Sequence, residues 1–226
     1  MPFPPSDVVA TAFAAATVTT FATGLLTLLG LSFSYARWRP ALVLSGVAVL
    51  ATALTYLDAG TIWLTTQEAS AAQRHVAWFV VQPMQVAAVY VFARAVEMVP
   101  VGVFYRIVTA AILMVLTRYL GAASIFDPTL GVLLSIAFWL YILGELYFGA
   151  IAEAVGRASR TIRLGYFWIR LILTVGWAIY PILHFVDVVV GAGHTVSVAV
   201  LYTVADAVNL VAVALIVLAV AGQERA

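Results

Sequence analysis

The sequence contains no cysteine and no lysine, and only 9% of its residues are charged. Without cysteine, the chain can form neither disulfides nor thiolate metal sites nor iron–sulfur clusters. The formal net charge is +1, and all eleven basic residues are arginines that form no basic stripe. Nucleic-acid binding is therefore not expected.

What the chain does contain is apolar sequence. Hydrophobic residues make up 65% of its 226 residues, and its mean hydropathy is +1.09. A soluble domain of this size cannot bury so much apolar surface, so we expect a lipid bilayer to surround most of the chain. Continuous apolar runs favour helices over an alternating β-barrel pattern. The predicted spans cover residues 8–31, 41–64, 74–95, 103–122, 129–152, 162–188 and 196–221.

The short connections between these runs predict a single domain, residues 1–226, in which seven transmembrane helices form one bundle. Arginines lie at alternate connections, and the positive-inside rule places those connections in the cytoplasm. We therefore expect a multi-pass protein of the inner cell membrane with its N-terminus outside and its C-terminus in the cytoplasm. Residues 1–7 lack a basic segment, which predicts that the first run is a retained helix.

Several charged residues fall within the predicted spans, where each costs at least ~2.5 kcal/mol unless it is paired or hydrated. Glu145 and Arg170 lie on either side of the fifth connection, at similar depths in the fifth and sixth spans. A buried ion pair between them is the simplest prediction, and a proton or ion path is the alternative. The other charged residues of this kind are Asp58, Arg74, Arg118 and Asp206.

Motifs in four spans resemble the microbial rhodopsins, seven-helix membrane proteins that bind retinal. The third span has the family's spacing of Arg74, Trp78 and Pro83. The sixth span reads Trp-Ala-Ile-Tyr-Pro over residues 177–181, which resembles the family's retinal-packing motif. Asp206 matches the family's second counter-ion, which is paired with the arginine at position 74. Tyr56 resembles the tyrosine that supports this counter-ion. The resemblance implies a microbial-rhodopsin-like fold.

Three departures from the family pattern concern its light-driven chemistry. The family attaches retinal through a Schiff base to a lysine, and Leu210 occupies that position. Leucine cannot form an imine, and the chain contains no lysine at any position that could replace it. Ala77 and Ala88 stand where the family has the proton acceptor and the proton donor of the third helix. The sequence therefore predicts neither covalent retinal nor proton pumping.

The resemblance also predicts the walls of a pocket. Either the side chains of this pocket hold a non-covalent apolar ligand, or they are part of the ordinary packing of the bundle. Arg118 and Trp139 add volume at the end where the family holds the retinal ring, so they either plug the slot or reshape it. The predicted pocket residues are Trp78, Met114, Arg118, Trp139, Trp177, Tyr180, His184 and Leu210, and those of the former counter-ion region are Tyr56, Arg74, Ala77 and Asp206.

The three histidines are weaker candidates for function. His75 and His184 fall at family positions that lie close together, and His194 lies in a nearby connection. Imidazoles suit zinc, copper or haem iron, but the chain has no closely spaced ligand motif. Metal or haem binding is thus a minor alternative, and no nucleophile–base pair indicates an enzyme.

Two classes of function remain open at this stage: a binding or sensory module with a non-covalent ligand, and a structural or regulatory membrane partner with a filled pocket. The family resemblance also favours a homo-oligomer, in particular a trimer. Asp58 lies two residues after Tyr56 and so faces away from the pocket if Tyr56 faces it. An outward-facing acid is expensive in lipid, so we expect Asp58 at the interface between protomers.

Overall fold

A computed structural model of the chain describes residues 7–68, 71–190 and 196–224. Apart from short 3₁₀ turns near residues 30–38 and one π-helical turn, the regular elements of these residues are α-helices. The helices are α1 (Val8–Leu29), α2 (Arg39–Thr66), α3 (Ala71–Arg94), α4 (Val101–Ala122), α5 (Pro128–Phe148), α6 (Ala150–Gly156), α7 (Arg160–Leu171), α8 (Trp177–Val190) and α9 (Val196–Gln223).

These helices make seven spans that are long and apolar enough to cross a membrane, which confirms the predicted number. The fifth span combines α5 and α6, and the sixth combines α7, a π-helical turn at Ile172–Gly176 and α8. Large apolar side chains cover the outside of the bundle, among them Leu54, Val175 and Phe148. An exterior of this kind suits lipid rather than water.

Three of the helices begin at a side-chain cap. Asp7 accepts a hydrogen bond from the Ala10 N–H at 2.9 Å, which lowers the pKa of Asp7 because the bond favours the charged carboxylate. Asp127 caps α5 and Ser159 caps α7 in the same way. The second Asp7 oxygen accepts a bond from Trp63 Nε1 at 2.8 Å, so the cap also ties α1 to α2.

Small residues let α4 and α5 pack closely. A Cβ added at Gly131 would lie 2.7 Å from the carbonyl oxygen of Thr117 and 2.8 Å from the Cα of Gly121. Only glycine allows this approach, which is a common way for membrane helices to pack. The main core, which includes Trp38, Phe92 and Ile142, runs through the centre of the bundle.

Ion pairs link the arginine-bearing connections at one end of the bundle, here called the arginine-rich end. Arg157 donates two hydrogen bonds to Glu97, at 2.7 and 2.8 Å, and these bonds hold the pKa of Glu97 below its ordinary value. Glu224 lies 3.5 Å from Arg37 and accepts a bond from Ser159 at 2.6 Å. These contacts bring three connections and the C-terminal end of α9 together, as the alternation of charge predicts.

Candidate functional site

The buried carboxylate of Asp206 is the centre of the site. Tyr56 and Tyr180 donate their hydroxyl protons to its two oxygens, at 2.6 and 2.5 Å. The indole N–H of Trp78 lies 3.2 Å from both oxygens. The donors come from α2, α8 and α3, so one side chain of α9 holds four spans together. The predicted association of Tyr56 with Asp206 is confirmed.

Arg74 does not form the direct ion pair with Asp206 that the sequence predicts. Its guanidinium lies over the ring of Tyr202, 4.3 Å from the ring centre. Among the described residues, Arg74 lies within 4.0 Å of no carboxylate. The reason is that the Asp206 oxygens already face tyrosine and tryptophan donors, whereas the aromatic face of Tyr202 offers the cation a site nearby.

Leu210 and the former counter-ion region share one cavity of about 40 Å³. Leu210 is buried against Val49, Val81 and Ala214. A cavity this small holds two or three water molecules. The structure thus brings together the predicted residues that line this cavity, which are Tyr56, Arg74, Ala77, Trp78, Asp206 and Leu210.

A second cavity, of about 30 Å³, lies on the other side of Trp78, which lines both spaces. The structure brings most of the predicted pocket residues together, but a drug-sized ligand needs a pocket roughly ten times larger. The predicted residues that line this second cavity are Trp78, Met114, Arg118, Trp139, Trp177 and Tyr180. Gln82 and Ser135 add polar groups to the same cavity.

Trp139 is held in the slot by an irregularity of the sixth span. At the π-helical turn, the carbonyl oxygen of Leu173 accepts a hydrogen bond from Trp139 Nε1 at 2.9 Å. A π-helical turn departs from the regular α-helical hydrogen-bond pattern, so a backbone carbonyl there can accept a bond from a side chain. A Cβ at Gly176 in this turn would overlap the Asn209 side chain, so the glycine lets the sixth span approach α9. No local pattern in the sixth apolar run predicts this turn.

A polar chain that sequence reasoning missed continues from Asp206 into the core. Asn209 Nδ2 donates to the Tyr180 hydroxyl at 3.2 Å, and Gln85 Nε2 donates to the main-chain carbonyl oxygen of Asn209 at 3.3 Å. Both residues are uncharged, so the positions of charged residues within the spans do not reveal them. Buried amides in apolar runs are themselves a signal, because an unsatisfied amide is costly in a membrane.

The histidines do not form a metal site in the part of the chain that the structure describes. Groups of three or more histidine, aspartate or glutamate side chains in metal-binding positions are absent there. His75 is buried beside Trp78 and Tyr119, with ring centres 5.2 and 5.8 Å apart. His184 lies one turn beyond Tyr180 and lines neither of the two cavities, so the structure does not place it with the other predicted pocket residues. His194 lies outside the described residues.

The predicted ion pair between Glu145 and Arg170 is also wrong. Glu145 Oε1 accepts hydrogen bonds from Arg106 Nε at 3.0 Å and Nη2 at 2.7 Å. Arg170 instead lies over the rings of Tyr147 and Tyr166, 4.4 and 5.4 Å from their centres. Glu145 pairs across the α4–α5 interface because those two helices pack closely along their length.

A double-mutant cycle should distinguish these two pairings. Arg106 is about half exposed, so we expect a coupling free energy of about 0.5–1 kcal/mol between Arg106→Ala and Glu145→Gln. Arg170→Ala and Glu145→Gln should be additive within about 0.5 kcal/mol. The measurement is reversible unfolding of the four variants of each cycle in mixed micelles. Coupling to Arg170 but not to Arg106 would contradict the structure.

The fold and the site define a multi-pass helical membrane protein with a buried, tyrosine-bound carboxylate and an aromatic slot. A family model described as "Bacteriorhodopsin-like protein" matches residues 7–223. The chain belongs to this family, the microbial rhodopsins.

Two kinds of relative illustrate the similarity. The blue-light absorbing proteorhodopsin of Gamma-proteobacterium Hot 75m4 is 28% identical over 191 residues, which are 84% of this chain and 76% of the relative. Among solved structures, the blue light-absorbing proteorhodopsin from Med12 has a TM-score of 0.82 and 24% identity, covering 97% of this chain and 100% of its own. Exiguobacterium sibiricum rhodopsin has a TM-score of 0.84 and 20% identity, covering 96% of both chains.

Proposed function

We propose that this protein is a binding or sensory module that holds a non-covalent ligand in the former retinal slot. It is neither a retinal Schiff-base pigment nor a light-driven proton pump. Leu210 supports the first exclusion, because its side chain lines the cavity beside Asp206 and offers no amine. Ala77 and the buried Ala88 support the second, because neither can accept or donate a proton.

The observation that carries the binding role is the second cavity. Its aromatic walls surround a guanidinium, that of Arg118, which has no carboxylate within 4.0 Å among the described residues. A slot that served only for packing would be expected to contain apolar side chains, because a buried charge costs several kcal/mol. A polar group that converges with aromatic rings is typical of a ligand site.

A filled slot with a structural or regulatory role is the second candidate, and the cavity volumes favour it. Spaces of about 30 and 40 Å³, divided by Trp78, admit only water-sized occupants unless Trp139 or Arg118 moves. Trp139 is fixed by its hydrogen bond to the sixth span. The two candidates therefore differ in whether any small molecule stabilises the protein.

Ligand recovery and ligand titration test the proposed function. The protein is purified in nanodiscs, its visible spectrum is recorded, and bound small molecules are extracted for mass spectrometry. All-trans retinal, retinol, retinoate and inorganic anions are then titrated while the melting temperature and tryptophan fluorescence are recorded. Saturable stabilisation by any of them, weakened by Trp177→Ala, supports a binding module. If no compound is recovered or binds, the filled slot is correct.

We also propose that the arginine-rich end faces the cytoplasm of the inner membrane, following the positive-inside rule. Labelling of single cysteines introduced at Ser159 and Asp127 in intact cells tests this orientation. Only the Asp127→Cys variant should react with a membrane-impermeant reagent.

The exposed side chain of Asp58 supports an oligomer, for which a trimer is the family expectation. Asp58→Leu should shift the protein towards monomer in gentle detergent, because a polar group at an interface between protomers would be lost. The exposed Glu153, on the short helix α6, supplies the control variant Glu153→Leu. Mass photometry in nanodiscs measures the distribution, and a monomeric wild type would contradict the assembly.

A further inference from the structure

Arg118 is a buried cation with few hydrogen-bond acceptors around it. Its Nη2 donates to the Tyr202 hydroxyl at 3.1 Å, and its guanidinium carbon lies 6.0 Å from the ring centre of Trp78. The Nε atom is fully buried and has no hydrogen-bond partner in the described part of the chain. A neutral hydroxyl and a distant ring leave most of the five guanidinium donors of arginine without an acceptor.

The charges around the two cavities do not balance. Among the charged residues that line them, Arg74 and Arg118 carry positive charge and only Asp206 carries negative charge. Asp206 directs both oxygens to Tyr56, Tyr180 and Trp78 rather than to either arginine. Among these described lining residues, one unit of positive charge therefore has no negative counterpart, whereas buried charges in membranes are normally paired or hydrated.

The space beside Arg118 suits the missing charge. The 30 Å³ cavity that Arg118 lines is also lined by Ser135 and Gln82, whose side chains can each donate a hydrogen bond to an anion. The volume holds one or two water molecules and therefore one small anion or one carboxylate group.

We propose that Arg118, with Ser135 and Gln82, forms a site for a monovalent anion in the former retinal slot. The anion is either an inorganic ion of the size of chloride or the carboxylate head group of an apolar ligand whose chain displaces the aromatic walls. This inference rests on the proposed binding function and names the ligand's chemistry. Arginine is suited to the site because charge-assisted hydrogen bonds to an anion are stronger than the neutral bond to Tyr202.

The first arm of the test uses inorganic anions. Wild-type protein in zwitterionic nanodiscs is titrated with chloride, bromide or nitrate against gluconate at constant ionic strength. We expect a saturable rise in melting temperature and a change in fluorescence from Trp78, Trp139 and Trp177, all of which line the cavity. Arg118→Gln should abolish both, whereas Arg118→Lys should retain a weaker response. The exposed Arg163 supplies the control Arg163→Gln, which should behave as wild type.

The second arm compares retinoate with retinol, which differ in the charge of one end. A carboxylate that reaches Arg118 should bind at least tenfold more tightly than the alcohol, and chloride should compete with it. The preference should disappear in Arg118→Gln. If that variant does not fold, the competition with chloride and the weakened response of Arg118→Lys test the same contact.

The outcomes separate this inference from the proposed function. Anion-dependent stabilisation that requires Arg118 supports the site. The occupant is an inorganic ion if only the inorganic anions stabilise the protein, and it is a carboxylate if retinoate binds more tightly than retinol. Equal binding of retinol and retinoate, without any effect of small anions or of Arg118→Gln, overturns the anion site and leaves the binding function intact. The absence of any binding overturns both.

Discussion

All-trans retinal is expected to leave no covalent adduct on this protein. A Schiff base needs an unprotonated primary amine, and the only side chain that supplies one, lysine, is absent. After incubation with retinal and reduction with borohydride, peptide mass spectrometry should find no adduct on any residue of the spans, and no red-shifted absorbance band should form. Retinal that binds without reaction would give the spectrum of the free aldehyde. A reduced adduct within the bundle would contradict the prediction.

Leu210→Lys is the matched variant for this experiment, and it should not pump protons. The new amine would lie in the cavity that contains Asp206 and Ala77, where retinal could react with it. Proton transport also needs an acceptor and a donor whose pKa values change in turn. Ala77 and Ala88 supply neither, and Trp139 and Arg118 still occupy the far end of the slot. Light-induced acidification of vesicles that contain this single variant would show that Asp206 replaces the missing acceptor.

The spans and the aromatic motif were predictable because both are local properties of the sequence. Apolar runs long enough to cross a bilayer predict helices with little ambiguity. The prediction that Tyr56 contacts Asp206 came from the order and spacing of the family motifs rather than from any local pattern. Their hydrogen bond joins residues on the second and seventh spans, so only the family resemblance could indicate it.

The features that the sequence did not predict, or predicted wrongly, depend on contacts and backbone details that are not local patterns. The π-helical turn at Ile172–Gly176 depends on a shift of backbone hydrogen bonds, and a continuous apolar run carries no trace of it. Arg106 was predictable as the partner of Glu145, because it lies near the start of α4 and Glu145 near the end of the antiparallel α5. The prediction compared only the fifth and sixth spans, whereas Arg106 lies in the fourth. Tyr202, which contacts Arg74 and Arg118, has no distinctive neighbours in the sequence.

Removal of the Asp206 carboxylate should cause the largest loss of stability of any single change in the site. Asp206→Ala leaves the hydroxyls of Tyr56 and Tyr180 and the indole N–H of Trp78 without their acceptor in the core. Each buried donor left unsatisfied costs about 1–3 kcal/mol. We expect the free energy of unfolding to fall by about 3–5 kcal/mol, measured in mixed micelles. Asp206→Asn, which keeps one accepting oxygen, should lose less.

Tyr180→Phe in two backgrounds tests whether the hydrogen bonds to Asp206 account for this loss of stability. In wild type, Tyr180→Phe removes a hydrogen bond to Asp206 and one from Asn209, and it should therefore destabilise the protein. In the Asp206→Ala background the same change removes a hydroxyl that has already lost its carboxylate acceptor, so its cost should fall by about 1–2 kcal/mol. Glu153→Ala, on the exposed surface of α6, should change the stability by less than about 0.5 kcal/mol. Equal effects of Tyr180→Phe in the two backgrounds would mean that Asp206 stabilises the bundle through something other than its hydrogen bonds.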